Sequence, residues 1–216
     1  MYQNSLRTTT RTLLPEILHI ESLLSPETTA ESHLLTLPQF REGLEWGEPR
    51  FGHPEGKVAY HVRDVLDNID RMKAYLSDDD RQRLRLVAFA HDTFKYQEAE
   101  MRRNGAKNDW WLSHHGYLAR KFMENHTSDA VVLDLIEWHD EAYFCWRTKF
   151  LYDDPEGAQI RLRRLLPKIN DKMDLYYIFF KCDTFTGDKI HAPVKWFETT
   201  VLGDSILQQV VNATLN

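Results

Sequence analysis

Six residues in this 216-residue chain combine metal-ligating chemistry with unusual surroundings: His61, His91, Asp92, His115, His139 and Asp183. His91 and Asp92 close the apolar run LRLVAFA, where burying an imidazole and a carboxylate costs free energy unless a partner compensates both. A divalent metal is such a partner, since it takes a neutral imidazole and a carboxylate together. Adjacent helical residues point about 100° apart, so both reach one ion only near a helix end. His61 follows Val58 on the apolar side of a long helix. His139 ends VVLDLIEW, and Asp183 ends LYYIFFKC. His115 lies in SHHGYLARKFM, four residues before Ala119, a small residue that lets another helix approach. Any one of these His could be a satisfied core residue. Four apolar segments that each present a His or Asp share a character that chance does not readily supply. Lys95, four residues after His91, would meet a metal-bound phosphate if the helix continues, or be solvated if Asp92 is a helix cap.

The elements that must position these residues read as helices. Leu13 to Leu24 has a 3.6-residue apolar repeat, and Ser25-Pro26-Glu27 breaks it. Leu37 to Arg50 is less defined, and Gly52 to Gly56 is a turn. A long helix starts at Val58, with Val62, Val65, Leu66, Ile69 and Met72 on one face. Ser77 caps the next helix, which runs to His91. Further helices are expected at His115 to Met123, Ser128 to His139, Gln159 to Leu166, Lys172 to Cys182 and Pro193 to Leu207. The intervals Phe94–Ser113 and Glu141–Pro155 lose the periodicity and read as polar, aromatic loops that either shape a pocket or merely connect. The expectation is one all-α domain spanning residues 1–216.

Composition narrows the function. A formal net charge of −6 gives no basic footprint for nucleic acid, so a nucleic-acid partner is not expected. Ten His is a high count and hints at metal or proton chemistry. Two cysteines, Cys145 and Cys182, form no close pair and suit a reducing, cytoplasmic setting. The N-terminal stretch MYQNSLRTTTRTLLPEIL lacks the pattern of a secretory signal, and no apolar run is long enough to span a bilayer, so no membrane partner is expected. No glycine-rich phosphate motif is present, which disfavours a P-loop or Rossmann enzyme.

The segments VAYHVRDVLDNI, LVAFAHDTFK and FFKCDTFTGD resemble, in order, the three parts of the HD superfamily of metal-dependent phosphohydrolases. HPEGKVAYH is similar to the opening of the HD domain in bacterial tRNA nucleotidyltransferases. The resemblance covers roughly Gly52 to Lys189. No nucleotidyltransferase head precedes it, so CCA addition is not expected. The resemblance implies an HD-domain helical bundle in which His61, His91, Asp92 and Asp183 bind one divalent ion. His115 and His139 resemble the pair that holds a second ion in two-metal subfamilies, with Asp92 as a bridge. One or two ions are expected, drawn from Mn, Fe, Co, Ni, Zn or Mg. Bound metal lowers the pKa of a coordinated water and offsets phosphate charge. Lys95 would stabilise charge on the phosphoryl oxygens. With one ion only, His115 or His139 would be free to protonate the leaving oxygen.

His114 and Arg120 are candidate substrate contacts. Arg102, Arg103 and Lys107 hold further phosphates or form a solvated basic face. Two departures from the family pattern stand out: the bulky Phe94 beside Lys95, and the His114-His115 doublet, in which Ala119 favours His115 as the ligand. Trp110, Trp111, Trp138, Tyr143, Phe144 and Trp146 either stack a nucleobase or belong to the core. The expected substrate is a small phosphate ester or anhydride, a nucleotide or a related molecule. The alternatives are a non-catalytic metal- or nucleotide-binding protein that works through a partner, and a structural metal protein.

Overall fold

The computed structural model describes residues 18–105 and 111–202, and these are helical with no β-strand among them. Among the described residues twelve α-helices follow one another. The chain opens with α1 (Ile20–Leu24), α2 (Thr29–Thr36) and α3 (Pro38–Glu45). Then come α4 (Val58–Arg71), α5 (Asp78–Ala90), α6 (Lys95–Arg103) and α7 (His115–Met123). The remainder are α8 (Ala130–Trp138), α9 (Glu141–Phe150), α10 (Pro155–Ile169), α11 (Met173–Thr184) and α12 (Ala192–Phe197), the last followed by a π-helical turn, Glu198–Leu202. The all-α bundle anticipated from the apolar periodicity is the architecture found. No helix of the described residues is long and apolar enough to cross a membrane.

The helix ends are specified locally. Thr28 and Glu31 form a reciprocal capping box at the start of α2. Ser77 Oγ accepts from the Asp80 backbone N–H at the start of α5, where three aspartates favour the helix dipole. Asp129 accepts from the backbone N–H groups of Val131 and Val132 at the start of α8. The α5 segment then buries Leu84, Val87, Ala88, Phe89 and Ala90 completely. It packs against α4, α8 and α11, so its C-terminal end lies at the centre of the bundle. α7 pairs with α8, and α9 with α10. Close approach is enforced by small residues. A Cβ on Gly43 would lie 1.8 Å from the Thr93 carbonyl oxygen, and one on Gly116 would lie 2.8 Å from that of Glu137.

Two expected loops contain helices. The Phe94–Ser113 interval includes α6, and the Glu141–Pro155 interval includes α9. α9 buries Ala142, Cys145 and Trp146, a spacing of three and four residues that the density of aromatics obscured. Its first-turn Glu141 and last-turn Arg147 and Lys149 also complement the helix dipole. α6 is polar, but Glu98 and Arg102 pair along one face, and Phe94 anchors its start. Leu13 and Ile17 of the first expected helix, the expected tail of the last helix to Leu207, and Lys107 and Trp110 lie outside the described residues.

Candidate metal centre

The chain brings His61, His91, Asp92, His115, His139 and Asp183 together at the centre of the bundle, with exposures from 0% at His91 to 9% at Asp183. His61 comes from the second turn of α4, and Asp183 from the last turn of α11. His91 and Asp92 stand at the C-terminal end of α5, where the helix stops and both side chains face one point. His61 Nε2 lies 2.9 Å from Asp183 Oδ1, 3.5 Å from Asp92 Oδ2 and 3.3 Å from His91 Nε2. His91 Nε2 is 3.5 Å from Asp92 Oδ2 and 3.8 Å from Asp183 Oδ1. On the other side of Asp92, its Oδ1 lies 3.3 Å from His115 Nε2 and 3.6 Å from His139 Nε2. One carboxylate thus faces two clusters of imidazoles, one through each oxygen.

Every imidazole is oriented from behind. His91 Nδ1–H donates to the Ala88 carbonyl at 2.9 Å, and His139 Nδ1–H donates to that of Ile136 at 2.8 Å. The Thr186 hydroxyl donates to the Asp183 carbonyl, so its oxygen is left to accept from His61 Nδ1–H at 3.3 Å. His115 Nδ1–H donates to Glu98 Oε2, which also accepts from the His115 backbone N–H at 3.0 Å. A neutral imidazole that donates through Nδ1 carries its lone pair on Nε2. The Nε2 atoms of His61 and His91 therefore face each other at 3.3 Å, and those of His115 and His139 at 3.2 Å. Such opposed nitrogens call for positive charge between them, a proton or a metal ion. The donor chemistry fits a divalent metal, and the backing hydrogen bonds are those that orient metal-ligating histidines.

Electrostatics sharpens the difference between the clusters. Burial pushes the His91 pKa down to about 3, and burial together with Lys189 lowers that of His61, so both imidazoles are neutral. Burial alone would raise Asp92 and Asp183. The Lys95 charge at Asp92 and the Lys189 charge at Asp183, with the surrounding imidazoles, hold both carboxyls well below their usual range. His115 differs. Burial opposes its protonation, but the Asp92 and Glu98 carboxylates outweigh burial and raise it to about 9. The two clusters thus share Asp92 but differ in their electrostatic surroundings.

Several residues at the centre went unremarked in the sequence. Asp140 Oδ2 lies 3.4 Å from His115 Nε2 and 3.6 Å from His139 Nε2. Its signal was present, since His139-Asp140 repeats the His91-Asp92 dipeptide at the end of another apolar helix. Glu98, Thr186, Lys189 and Glu55 back or flank the ligands, and no local pattern marks them. Lys189 Nζ donates to Asp183 Oδ1 at 2.9 Å and to the Asp183 carbonyl at 3.0 Å. Asn68 Nδ2 donates to the Cys182 and Phe185 carbonyls, both at 2.9 Å, which ties α4 to the end of α11 beside Asp183.

The substrate-contact candidates separate. Lys95 pairs with Asp92 and lines a cleft of about 380 Å³ that opens above the cluster. Phe94 does not divert it: its ring turns into the core against Phe122, with centroids 4.9 Å apart. His114 Nδ1 accepts from the Gly116 backbone N–H and caps α7, with its Nε2 3.6 Å from Asp140 Oδ2. Its neighbour His115 is the one that meets Asp92. Arg120 does not reach the cleft, because its guanidinium is held by Asp134 at 2.6 Å and Glu137 at 2.8 Å between α7 and α8. Arg102 is exposed and pairs with Glu98, and neither it nor Arg103 lines the cleft. Of the aromatics, Tyr143 lines the cleft, Trp146 is buried, and Trp111 packs on Trp138 with centroids 4.5 Å apart.

The chain belongs to the HD domain family: the family model matches residues 58–165, half of the chain. This span includes His61, His91, Asp92, His115 and His139, and ends before Asp183. No curated protein and no solved structure matches the chain.

Proposed function

We propose that this protein is a metal-dependent phosphohydrolase that cleaves a phosphate ester or anhydride of a small molecule, with nucleotides as the expected class. The observation that carries the reading is the pair of inward-facing imidazole couples joined by the two oxygens of Asp92, which with Asp140 and Asp183 lines an open cleft. A purely structural site would be closed, whereas a catalytic one keeps an open position for substrate. His61, His91, Asp92 and Asp183 would hold one divalent ion. Asp92, His115 and His139, with Asp140 beside them, would hold a second. Bound ions supply a nucleophile from water near neutral pH and neutralise phosphate charge.

The protein's own groups do the rest. Glu98, Thr186 and the Ala88 and Ile136 carbonyls fix the imidazole tautomers and leave each Nε2 facing inward. Lys95 keeps its proton: burial disfavours the charge, but the carboxylates of Asp92 and Asp140 outweigh it and raise its pKa. It therefore stays a cation facing the phosphoryl oxygens. Tyr143 offers a ring to a flat leaving group at the cleft wall. The buried free thiols of Cys145 and Cys182 support a reducing compartment, the cytoplasm. The deciding experiment is metal analysis of the purified protein followed by phosphate-release assays on mononucleotides, cyclic nucleotides and simple phosphate esters. Turnover that disappears with chelation and returns with added metal supports the reading. A nucleotide that binds metal-loaded protein and is recovered unchanged would replace hydrolysis with ligand binding.

A further inference from the structure

The cleft has two unlike halves. Its floor is charged, with Asp92, Asp140 and Asp183 flanked by Lys95 and Lys189. Each lysine stands beside a different carboxylate of the cluster, Lys95 at Asp92 and Lys189 at Asp183. A group placed over the cluster therefore meets one cation on each side. The mouth is apolar: Phe51 is 85% exposed, Leu151 59% and Ile190 52%, and all three line the opening with Pro193. Large apolar side chains left in water around one opening mark a contact surface for a ligand. Among the described residues the rest of the polar lining is His53, Tyr143 and Thr184, with no arginine, asparagine or glutamine to read a second phosphate or a polyol.

We infer that the substrate is a phosphate monoester of an uncharged alcohol with an apolar or aromatic face. The single phosphoryl group sits between Lys95 and Lys189, and the alcohol packs against Phe51, Leu151 and Ile190. This rests on the phosphohydrolase reading and narrows it from esters and anhydrides to monoesters. Beyond the two lysines the described lining offers the apolar collar and His53, which is already paired with Glu55, so a second or third phosphoryl group would be desolvated largely unpaired, which is costly. In the reaction a water oxygen bonds to phosphorus, and the bond from phosphorus to the alcohol oxygen breaks. The alcohol oxygen takes a proton from that water, which leaves inorganic phosphate and the free alcohol.

The test compares n-hexyl phosphate with glycerol 3-phosphate, and adenosine monophosphate with adenosine diphosphate, on the metal-loaded full chain. The hexyl ester should exceed the glycerol ester in kcat/KM by about tenfold or more, the scale of apolar discrimination. The monophosphate should exceed the diphosphate by a similar factor. In the Leu151→Ser/Ile190→Ser double variant, both positions being exposed, the first ratio should fall to about one. Calorimetry gives a readout independent of turnover: n-hexylphosphonate should bind more tightly than methylphosphonate, with a negative heat-capacity change that the double variant reduces. Ratios near one in the wild type, or a preference for the diphosphate, would overturn the inference and leave hydrolysis standing. No phosphate released from any of the four at full metal loading would sink the hydrolytic reading, and the inference with it.

Discussion

The ends of α5 and α8 are built alike and tuned apart. Each helix has an apolar C-terminal part, stops at a histidine, and continues with an aspartate: His91-Asp92 and His139-Asp140. In each the histidine donates from Nδ1 to the carbonyl three residues earlier, at 2.9 Å and 2.8 Å. Around His91 the other imidazole, His61, is neutral, and two lysines neutralise the carboxylates. Around His139 the other imidazole, His115, is crowded by the carboxylates of Asp92, Glu98 and Asp140. The same local device therefore yields two different environments, because each helix end is completed by different distant residues. A cation at the α8 end would face Asp92, Asp140 and Glu98, the last paired with the exposed Arg102, while one at the α5 end would meet carboxylates paired with Lys95 and Lys189.

The largest expected effect breaks both ends at once. Asp92→Ala removes the carboxylate they share, so purified protein should lose most of its bound metal while staying helical. Elemental analysis beside circular dichroism checks this, and an undiminished metal content would show that the clusters do not depend on each other.

Lys95→Ala tests whether the α5 end acts on substrate. Metal content should be unchanged, and kcat should drop about a hundredfold, the scale for deleting one electrostatic stabiliser. The readout is phosphate release at equal metal loading. A rise in KM alone would indicate that Lys95 binds ground and transition states equally.

Asp140→Asn should weaken only the α8 end. Two ions per chain would become one at limiting metal, as measured by titration calorimetry, whereas His61→Ala should remove the other ion. If both variants lose the same ion, the division into two ends fails.

Smaller still are effects carried by residues that touch no ligand lone pair directly. Glu98→Gln keeps an acceptor for His115 but loses the charge, and should cost about tenfold in metal affinity at the α8 end. Asn68→Ala leaves the Cys182 and Phe185 carbonyls without their donor, and should cost about 1–3 kcal/mol of stability by denaturant unfolding. Metal affinity should fall mainly at the α5 end, where Asp183 is positioned.

Much of this design was legible in the chain itself. Apolar periodicity specified α4, α5, α8 and α11, because a helix that buries one face must repeat every three to four residues. A histidine or aspartate at the end of such a helix is conspicuous, since it cannot be buried without a partner. That reasoning, with the family resemblance, singled out all six residues that converge. Short helices rich in aromatic or charged residues escaped it: α6 and α9 are held by packing and pairing rather than by a clean stripe. The bulk of Phe94 beside Lys95 could crowd the cleft, and only its packing against Phe122 shows where the ring goes. The sequence leaves Arg120 between a phosphate contact and a solvated basic face, and nothing local to it reveals that Asp134 and Glu137 claim it from the facing helix. The residues that distinguish the two ends are likewise tertiary. Glu98 reaches His115 across 17 positions, and Thr186 reaches His61 across 125. Lys189 depends on where the turn after α11 folds. Residue types and periodicity determine what a side chain can do and which helix carries it. The partners that set its charge come from distant segments, and only packing of the bundle brings those within hydrogen-bonding distance.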